Sequence, residues 1–326
     1  MSKLDALIKE INKDYKEEIA FKGEDASLIK YEVVPFSSPR LNYMLYGGLP
    51  MGRMIEFAGA EKSGKTTTAL DMVKNCQKKF EKEYEEACNK KTLKDYDPVM
   101  RRVCFVDAEN TFDVEWAEKL GVKVDDLILI KPQEQYAEQI FEIMRAVIET
   151  GEVGLIVLDS VAQLVSKQAF EEDIEKKTYG GIASSLTKFC NIVVPLLGKH
   201  NCTIRLMFKQ GKFIDINNKE LTNNCENPAG NLVQVKIEKS KVCRSDRRLG
   251  FYTLNYLEGI DYINDTIDVL MQVGCIIQRG SYFDIIDPNT GEVLVDEKIQ
   301  GRSTLVNKLR DDEELFNRIY SFISYN

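Results

Sequence analysis

One short segment, MIEFAGAEKSGKTTTAL at residues 54–70, constrains the fold more than any other part of the chain. An apolar run ends at Gly59, four residues follow, and Gly64, Lys65 and Thr66 then open a stretch with a helical pattern. This order of strand, glycine-rich loop and helix fits the phosphate-loop pattern. The glycines let the loop curl so that its backbone N–H groups point inward, and the positive end of the helix adds to the attraction for phosphate.

The pattern also assigns roles to two side chains of the loop. Lys65 is placed to reach the β- and γ-phosphates of a nucleoside triphosphate, and the Thr66 hydroxyl is placed to ligate Mg²⁺. The alternative is an ordinary glycine turn before a helix. Because the strand expected over residues 54–58 and the helix start over residues 67–73 both agree with the loop, the sequence predicts a triphosphate site.

The composition excludes several other classes of protein. The 326 residues suffice for one large domain with one or two small ones, and no apolar run is long enough for a transmembrane helix or a signal peptide. The eight cysteines form no CxxC pair, which is typical of reduced thiols in an intracellular protein. The one histidine, His200, excludes histidine-based triads and histidine-rich metal sites. We therefore expect a cytoplasmic protein without membrane contact.

The net charge bears on nucleic-acid binding. At −8, the chain is too acidic for a general polyanion binder. Nucleic acid would have to be held through local basic groups, or through many subunits side by side.

The first part of the chain, residues 1–29, is predicted to be a short amphipathic helix on a polar tether. Leu4, Leu7, Ile8 and Ile11 share one helical face, with lysine and glutamate elsewhere. Packing on the protein's own core and docking on a neighbouring molecule are equally compatible with this pattern.

The remainder of the chain divides into a large and a small part. Residues 30–260 alternate helical patterns with the apolar runs VCFVDAE, DLILIKP, GLIVLDS, NLVQVKIEKS and LGFYTLNYL. This alternation predicts an α/β fold with a mainly parallel sheet covered on both faces. Residues 261–326 are predicted to form a smaller α/β unit with a hairpin at YFDIIDPNTGEVLVDE. Residues 78–96 are highly charged, which predicts a solvated helical insertion without chemistry of its own.

Two strand ends carry the carboxylates that a phosphate loop needs. GLIVLDS ends near Asp159, where a sheet delivers a carboxylate to a bound Mg²⁺. VCFVDAEN places Glu109 just beyond another strand end, where a glutamate can orient and deprotonate an attacking water. A strand-end turn and a helix cap are the respective alternatives. Asp113 and Trp116 lie three residues apart on one helical face, a spacing suited to adenine, although core packing explains a lone tryptophan equally well.

These segments together resemble the RecA family of recombinases, in particular its bacteriophage members. The resemblance rests on GGLPMGRMIEFAGAEKSGKTTT, CFVDAENTFDVEWAEKLGV and GLIVLDSVAQLVSKQAFEEDIE, and it extends over nearly the whole chain. It implies a RecA-like P-loop ATPase core with an N-terminal helix arm and a small C-terminal α/β domain. It also implies a DNA-dependent ATPase in the cytoplasm of a bacterium or a phage-infected host, with ATP and Mg²⁺ as cofactors.

The resemblance carries a nucleotide site over to this chain. It implies that Glu109 and Lys65 are catalytic, and that Asp113 and Trp116 contact adenine, the tryptophan standing where the family often has a tyrosine. The residues implied to bind the nucleotide are Gly59, Ala60, Glu61, Lys62, Ser63, Gly64, Lys65, Thr66, Thr67, Asp113, Trp116, Asp159 and Ser160, with Thr66 and Asp159 at the metal.

The resemblance also implies assembly. The family forms helical filaments on DNA with ATP between neighbouring subunits, and Lys239 and Lys241 in VKIEKSK match a catalytic lysine pair that reaches the neighbour's γ-phosphate. A solvated strand end is the alternative for these lysines. In a filament, the N-terminal helix would be a docking arm. The implied partners are single-stranded DNA, duplex DNA and further copies of the chain, with single-strand-binding and loader proteins as further candidates.

The segment FEEDIEKKTYGG, residues 170–181, resembles the first DNA-binding loop of the family. The residues assigned to DNA are Lys176, Lys177, Tyr179, Gly180 and Gly181. Four acidic residues accompany the two lysines, so the segment is negative overall. We expect a weak contact per subunit, made partly through N–H groups at the start of the next helix and strengthened by repetition along a filament.

One departure from the family concerns LLGKHNCTIRLMFKQGKF, residues 196–213. Relatives have a strand ending in a polar residue that senses the γ-phosphate, then a second DNA-binding loop, a helix and another strand. Here the intervening segment has no counterpart between Ile204 and Arg205. Residues 202–208 are one strand's worth of chain at about 3.3 Å per residue, so they cannot supply two strands. Two explanations stay open: the protein lacks the segment, or the printed sequence passes over a disordered loop.

We therefore predict an ATP-dependent recombinase that coats single-stranded DNA and pairs it with homologous duplex. The second hypothesis is a nucleotide-dependent relative that forms filaments or binds partner proteins without exchanging strands, because the second DNA-binding loop is missing. A small-molecule kinase fits poorly, since the paired lysines and the terminal arm would have no role in it.

Overall fold

The computed structural model describes residues 3–14, 20, 32–90, 98–171, 181–197, 203–216, 218–222, 225–240 and 246–325. In these ranges the helices are α1 Lys3–Asp14, α2 Pro39–Met44, α3 Lys65–Lys90, α4 Val114–Lys119, α5 Ala137–Glu149, α6 Lys167–Glu171, α7 Gly181–Leu196, α8 Tyr262–Gln272, α9 Arg302–Asp311 and α10 Glu313–Tyr320. The strands are β1 Val33–Val34, β2 Leu49–Pro50, β3 Met54–Gly59, β4 Arg102–Asp107, β5 Leu127–Ile130, β6 Val153–Asp159, β7 Thr203–Ile214, β8 Gly230–Lys239, β9 Leu249–Asn255, β10 Gly259–Ile260, β11 Ile276–Arg279, β12 Tyr282–Ile285 and β13 Ile299–Gln300.

The central strands form two sheets. In the first, β5, β4 and β6 are parallel neighbours in that order. In the second, the order is β3-β7-β8-β9-β10, where β3 and β7 are parallel and the other pairs are antiparallel. The α/β class is confirmed, with a parallel core. The carboxyl half differs from the mainly parallel sheet that was expected. Among the described residues, no helix crosses over between β7, β8 and β9, and direct connections favour antiparallel pairing.

The two sheets lie beside each other without joining. β3 and β6 share no strand ladder, and nearly all of their Cα atoms are more than 8 Å apart. Helix α3 packs against β3, β4 and β6, so it spans both sheets on one face. Every residue of β3 and β6 is at least partly exposed, although central parallel strands are ordinarily buried.

Residues 203–214, which include the departure expected between Ile204 and Arg205, form strand β7. It runs without a break through Ile204 and Arg205. Its parallel register with β3 extends from Met54 opposite Thr203 to Gly59 opposite Phe208. The segment therefore forms one strand, and that strand pairs with β3 on the side away from β6.

Three apolar cores hold the described residues together. The first lies between α3 and both sheets and includes Phe80, Phe105 and Phe208. The second packs α5 and α7 on the other face of β4 and β6, with the rings of Phe141 and Phe189 stacked at 4.8 Å. The third belongs to residues 261–325 and is centred on α8, α9 and the small sheet β11-β12-β13. The domain boundaries themselves stay predictions.

Two expected local elements are present only in part, the charged helical insertion and the hairpin near the carboxyl end. The charged insertion is helical to Lys90, and residues 91–97 lie outside the described ranges. The hairpin expected over residues 282–297 is incomplete: β12 pairs with β11 and β13, and a single bridge follows between Ile286 and Val293. Helix α1 forms but buries none of its residues. Among the described residues, every helix is too short or too polar to cross a membrane.

Candidate nucleotide site

The phosphate loop connects β3 to α3 and is held by its own side chains. Ser63 Oγ donates to Ala60 O at 2.7 Å, and Lys65 Nζ donates to Gly59 O at 3.0 Å and to Ala60 O at 2.7 Å. Gly59 has φ 153°, and a Cβ there would lie 2.3 Å from the carbonyl oxygen of Phe208 on β7. Only glycine, which has no Cβ, can lie this close to β7. The glycine therefore lets the loop backbone curl into a cradle for phosphate.

A buried hydroxyl pair fixes the first turn of α3 to β9. Thr68 Oγ1 lies 2.8 Å from Gly64 O and 2.6 Å from Tyr252 Oη. Because Thr68 has one hydroxyl proton and gives it to the Gly64 carbonyl, Tyr252 is the donor of the second bond. Tyr252 is fully buried, and this burial raises the pKa of its phenol well above the usual value. The phenol is therefore held protonated behind the loop.

One contact joins the loop to the other sheet. Thr66 Oγ1 donates to Asp159 Oδ2 at 2.6 Å, and Asp159 is the last residue of β6. Hydroxyl and carboxylate oxygens are ligands that Mg²⁺ accepts, and in phosphate-loop proteins phosphate oxygens and water complete the set. The described residues contain no cluster of three or more histidine, cysteine and acidic side chains. The pair thus fits a magnesium ion that depends on the nucleotide for its remaining ligands.

Glu109 lies two residues beyond the end of β4, beside Asp159. The N–H groups of Ala108 and Glu109 both donate to Asp159 O, at 2.7 and 3.2 Å. The buried carboxylate of Asp107 accepts two further N–H groups of the following loop, each at 3.1 Å. These hydrogen bonds fix the backbone around Glu109, whereas its exposed side chain faces solvent. Ser160 follows Asp159 and begins a short 3-10 turn.

A cavity of about 590 Å³ opens beside the loop, within the range of small-molecule sites. Residues 62–67 form one wall, and Trp116 contributes an aromatic ring. The opposite wall comes from β7, β8, β9 and the residue after β9, namely Gln210, Phe213, Asn231, Leu254 and Tyr256. Tyr256 Oη donates to Asn231 Oδ1 at 2.9 Å, which orients the tyrosine.

The sequence predicts one wall of this cavity and not the other. Residues 62–67 and Trp116 line the cavity as predicted. The other residues predicted for the site do not line it, namely Gly59, Ala60, Glu61, Glu109, Asp113, Asp159 and Ser160. Asp113 is exposed and caps α4, accepting the N–H of Trp116 at 3.0 Å. Its role toward adenine stays a prediction.

Lys239 lies at the end of β8 that is remote from the cavity. Asn231 lines the cavity from the same strand, eight residues earlier. At about 3.4 Å per residue, the two Cα atoms are about 27 Å apart. Lys239 is exposed and stands opposite Arg205 on β7. Lys241 lies outside the described residues.

The residues that flank the predicted DNA-binding loop are held by one carboxylate. Glu138 of α5 accepts from the Lys167 N–H at 2.9 Å and from Ser185 Oγ at 2.6 Å. Partial burial acts to raise the pKa of Glu138, but these hydrogen bonds outweigh it and hold the pKa below the usual value. Gly181, which begins α7, lies so close to Ser166 that a Cβ would be 2.3 Å from its Oγ. The other predicted DNA contacts lie outside the described residues, namely Lys176, Lys177, Tyr179 and Gly180.

Comparison with known proteins decides the family. A family profile described as the RecA N-terminal domain matches residues 2–84 and 91–212. The chain belongs to the RecA family. Protein RecA of Streptomyces ambofaciens is 30% identical over 341 residues, covering 97% of this chain and 83% of that protein. Protein RecA of Chloroherpeton thalassium is 28% identical over 346 residues, covering 98% of this chain and 88% of that protein.

The alignment with the Chloroherpeton protein is longer than this chain. The 346 aligned positions exceed the 326 residues of this chain, so this RecA relative has residues without a counterpart here. The interruption within the profile match, residues 85–90, lies in the charged end of α3. A bacteriophage origin of this RecA-family chain stays a prediction.

Proposed function

We propose that this RecA-family protein is an ATP-dependent recombinase that forms filaments on single-stranded DNA and pairs it with duplex DNA. The observation that carries the proposal is the contact between Thr66 and Asp159. It brings the first residues of α3 to the end of β6, beside Glu109, where a metal-bound triphosphate can be hydrolysed.

Within this proposal each residue of the site has one task. Bound ATP with Mg²⁺ supplies the phosphoanhydride and the charge shielding. Thr66 and Asp159 would hold the metal, and Lys65 would exchange its contacts with the loop carbonyls for phosphate oxygens. Glu109 accepts the proton of the attacking water. Trp116 would contact the base, in the cavity that Tyr256 also lines.

The position of Lys239 supports a site shared between subunits. It stands opposite Arg205, which pairs with Glu56 near the amino-terminal half of β3, whereas the phosphate loop follows the carboxyl end of that strand at Gly59. In a filament, Lys239 and Lys241 would instead complete the site of the next subunit and stabilise the charge of the transition state. ATP hydrolysis would then depend on assembly.

Helix α1 supports assembly in a different way. Leu4 and Leu7 are 61% and 49% exposed, and no residue of the helix is buried, so its apolar face does not pack into the core of its own chain. We propose that this face docks on a neighbouring subunit. Single-strand-binding and loader proteins stay candidate partners.

The decisive experiment measures ATP hydrolysis with and without single-stranded DNA. The parent should hydrolyse ATP faster when DNA is present, and Lys65→Ala should lose turnover by at least about 100-fold, since the lysine supplies charge to the phosphates. The matched control is Lys78→Ala, an exposed lysine of the same helix about 20 Å further along. Equal turnover in parent and Lys65→Ala would refute the phosphate-loop assignment.

A second candidate function is a RecA-like ATPase that forms filaments or binds partners but exchanges no strands. It is favoured by the single strand over residues 203–214 and by the gap between β3 and β6, since the described residues contain no second DNA-binding loop between Ile204 and Arg205. Strand exchange between a circular single strand and a linear duplex separates the two candidates, because both predict hydrolysis of ATP.

A further inference from the structure

One wall of the nucleotide cavity contains a hydrogen bond that commits the proton of a tyrosine hydroxyl. Tyr256 Oη donates to Asn231 Oδ1 at 2.9 Å, and both residues line the cavity. Partial burial raises the pKa of Tyr256 above its usual value, so the phenol is protonated at neutral pH and has a proton to donate. The wall opposite the phosphate loop therefore contains a paired hydroxyl.

The orientation of the Asn231 amide follows from a second hydrogen bond. Asn231 Nδ2 donates to Leu232 O at 2.7 Å, and a carbonyl oxygen can only accept. The amide nitrogen is therefore turned toward Leu232, which leaves the amide oxygen for Tyr256. Because Asn231 is only 2% exposed, it acts on a ligand mainly through the tyrosine.

This pair leaves the hydroxyl with one kind of hydrogen-bonding capacity toward a ligand. A tyrosine hydroxyl has one proton, and it accepts through its oxygen. Because the proton is given to Asn231, the Tyr256 oxygen can only accept from a ligand in the cavity. Such an oxygen favours a base that presents an amino group, as adenine does at N6. It disfavours a base that presents a keto oxygen, as guanine does at O6, since two acceptors cannot bond each other.

The backbone holds Tyr256 at the cavity that Trp116 also lines. Tyr256 N donates to Ala229 O at 3.0 Å, just before β8. The turn that follows packs on the end of α4, where a Cβ at Gly259 would lie 2.6 Å from Leu120 Cδ2. Helix α4 also carries Trp116, the ring expected to contact the base. The contact with α4 therefore ties the segment after Tyr256 to the helix that carries Trp116.

The other polar groups of the cavity do not distinguish an amino group from a keto oxygen. Gln210 presents an amide, which offers both a donor and an acceptor and can meet either kind of base. Among the described residues, no carboxylate lines the cavity, and Asp113 accepts the Trp116 N–H outside it. Residues 62–67 are placed for the phosphates. Tyr256 is therefore the group of this wall whose hydrogen bonding depends on the base.

We propose that Asn231 is a positioning residue for base recognition. It holds the Tyr256 hydroxyl as an acceptor, which selects a triphosphate whose base presents an amino group, such as ATP, over one whose base presents a keto oxygen. The inference rests on the proposed function, because it requires a nucleoside triphosphate with its base beside Trp116. It adds the base specificity of that site, which the phosphate loop and the metal pair cannot supply, since they contact only phosphate and Mg²⁺.

The test compares the binding of ATP and of inosine triphosphate to the whole protein by isothermal titration calorimetry, each with Mg²⁺. Inosine triphosphate carries a keto oxygen in place of the amino group. The parent should bind ATP at least about tenfold more tightly, because inosine triphosphate places one acceptor against another. Asn231→Leu frees the phenol proton to donate to the keto oxygen, and Tyr256→Phe removes the hydroxyl. Each variant should reduce the preference to about threefold or less.

The matched control is Asn191→Ala, an exposed asparagine on α7, which does not line the cavity, and this variant should keep the preference. A ratio of two affinities within one protein does not depend on the folded fraction, so a loss of stability alone would leave the preference intact. Equal binding of the two triphosphates by the parent, or full preference in Asn231→Leu or Tyr256→Phe, would overturn this inference and leave the proposed function standing. A parent protein that does not bind ATP would overturn both.

Discussion

The pair formed by Thr68 and Tyr252 yields a quantitative prediction about the phosphate loop. Both side chains are fully buried, and the tyrosine donates to the threonine at 2.6 Å. Tyr252→Phe removes the donor and leaves Thr68 its bond to Gly64 O, so the free energy of unfolding should fall by about 1 kcal/mol. Thr68→Val leaves the phenol buried without an acceptor, and the expected loss is about 2 to 3 kcal/mol.

The double variant distinguishes this account from independent effects. When neither hydroxyl is present, no buried donor is left unpaired, so Thr68→Val with Tyr252→Phe should be more stable than Thr68→Val alone by about 1 kcal/mol. Urea unfolding followed by the fluorescence of Trp116, the only tryptophan, measures all four proteins. If the double variant loses the sum of the single losses, the two hydroxyls are not coupled and the reasoning fails.

The same pair predicts a response to alkaline pH. The phenol of Tyr252 ionises in the unfolded chain near the usual tyrosine pKa of about 10, whereas burial raises its pKa in the folded protein. Its contribution to stability is therefore complete below that value and is lost as the pH rises above it. Tyr252→Phe should lose less stability than the parent between about pH 10 and 11, because it has no phenol to ionise.

Three further predictions concern assembly, the flanks of the DNA loop and the base site. Glu109→Gln mixed with the Lys239→Ala, Lys241→Ala double variant should recover ATPase activity at junctions where intact groups meet, and no recovery at any ratio would contradict a shared site. Because hydrogen bonds lower the pKa of Glu138, its hydrogen bonds to α6 and α7 should persist above the usual glutamate pKa and weaken as the pH falls through the lowered pKa. Amide exchange at residues 181–185 should become faster at that pH. In Glu138→Gln it should already be faster at neutral pH. ATP should quench the fluorescence of Trp116 in the parent, and loss of quenching in Lys65→Ala but not in Lys78→Ala would locate the effect at the cavity.

The sequence predicts the parts of the site that local chemistry specifies. The glycine spacing around Lys65 and the strand end at Asp159 each follow from a short segment, and the structure brings these segments together through Thr66. The fold class also follows, because the apolar runs alternate with helical patterns. Such features depend only on residues that are close together in the chain, so they can be recognised from the sequence without a structure.

The opposite wall of the cavity was not predictable in this way. Gln210, Asn231 and Tyr256 lie on or beside three different strands, and they meet only because of the antiparallel register of β7, β8 and β9. A shift of one residue in that register would turn each side chain to the other face of the sheet. Likewise, the fit of Tyr252 behind the loop depends on packing between distant segments. Within LGFYTLNYL, the size of the tyrosine side chains is the one feature of the sequence that indicates a role for this strand beyond packing in the core.

The gap between β3 and β6 leads to the last prediction, which concerns whether residues are missing between Ile204 and Arg205. The 326-residue chain has a mass of 37.2 kDa, and a further segment between these two residues would add several kDa to the intact mass. If the measured mass is 37.2 kDa, one strand serves where relatives have two, and no element connects the triphosphate site to a second DNA-binding loop. We then expect ATP binding with little stimulation of hydrolysis by DNA and no strand exchange. Robust strand exchange by a protein of that mass would refute this expectation, and would mean that another segment performs the role of the second loop. A larger mass would instead support the recombinase, since the additional residues could supply both the strand and the loop.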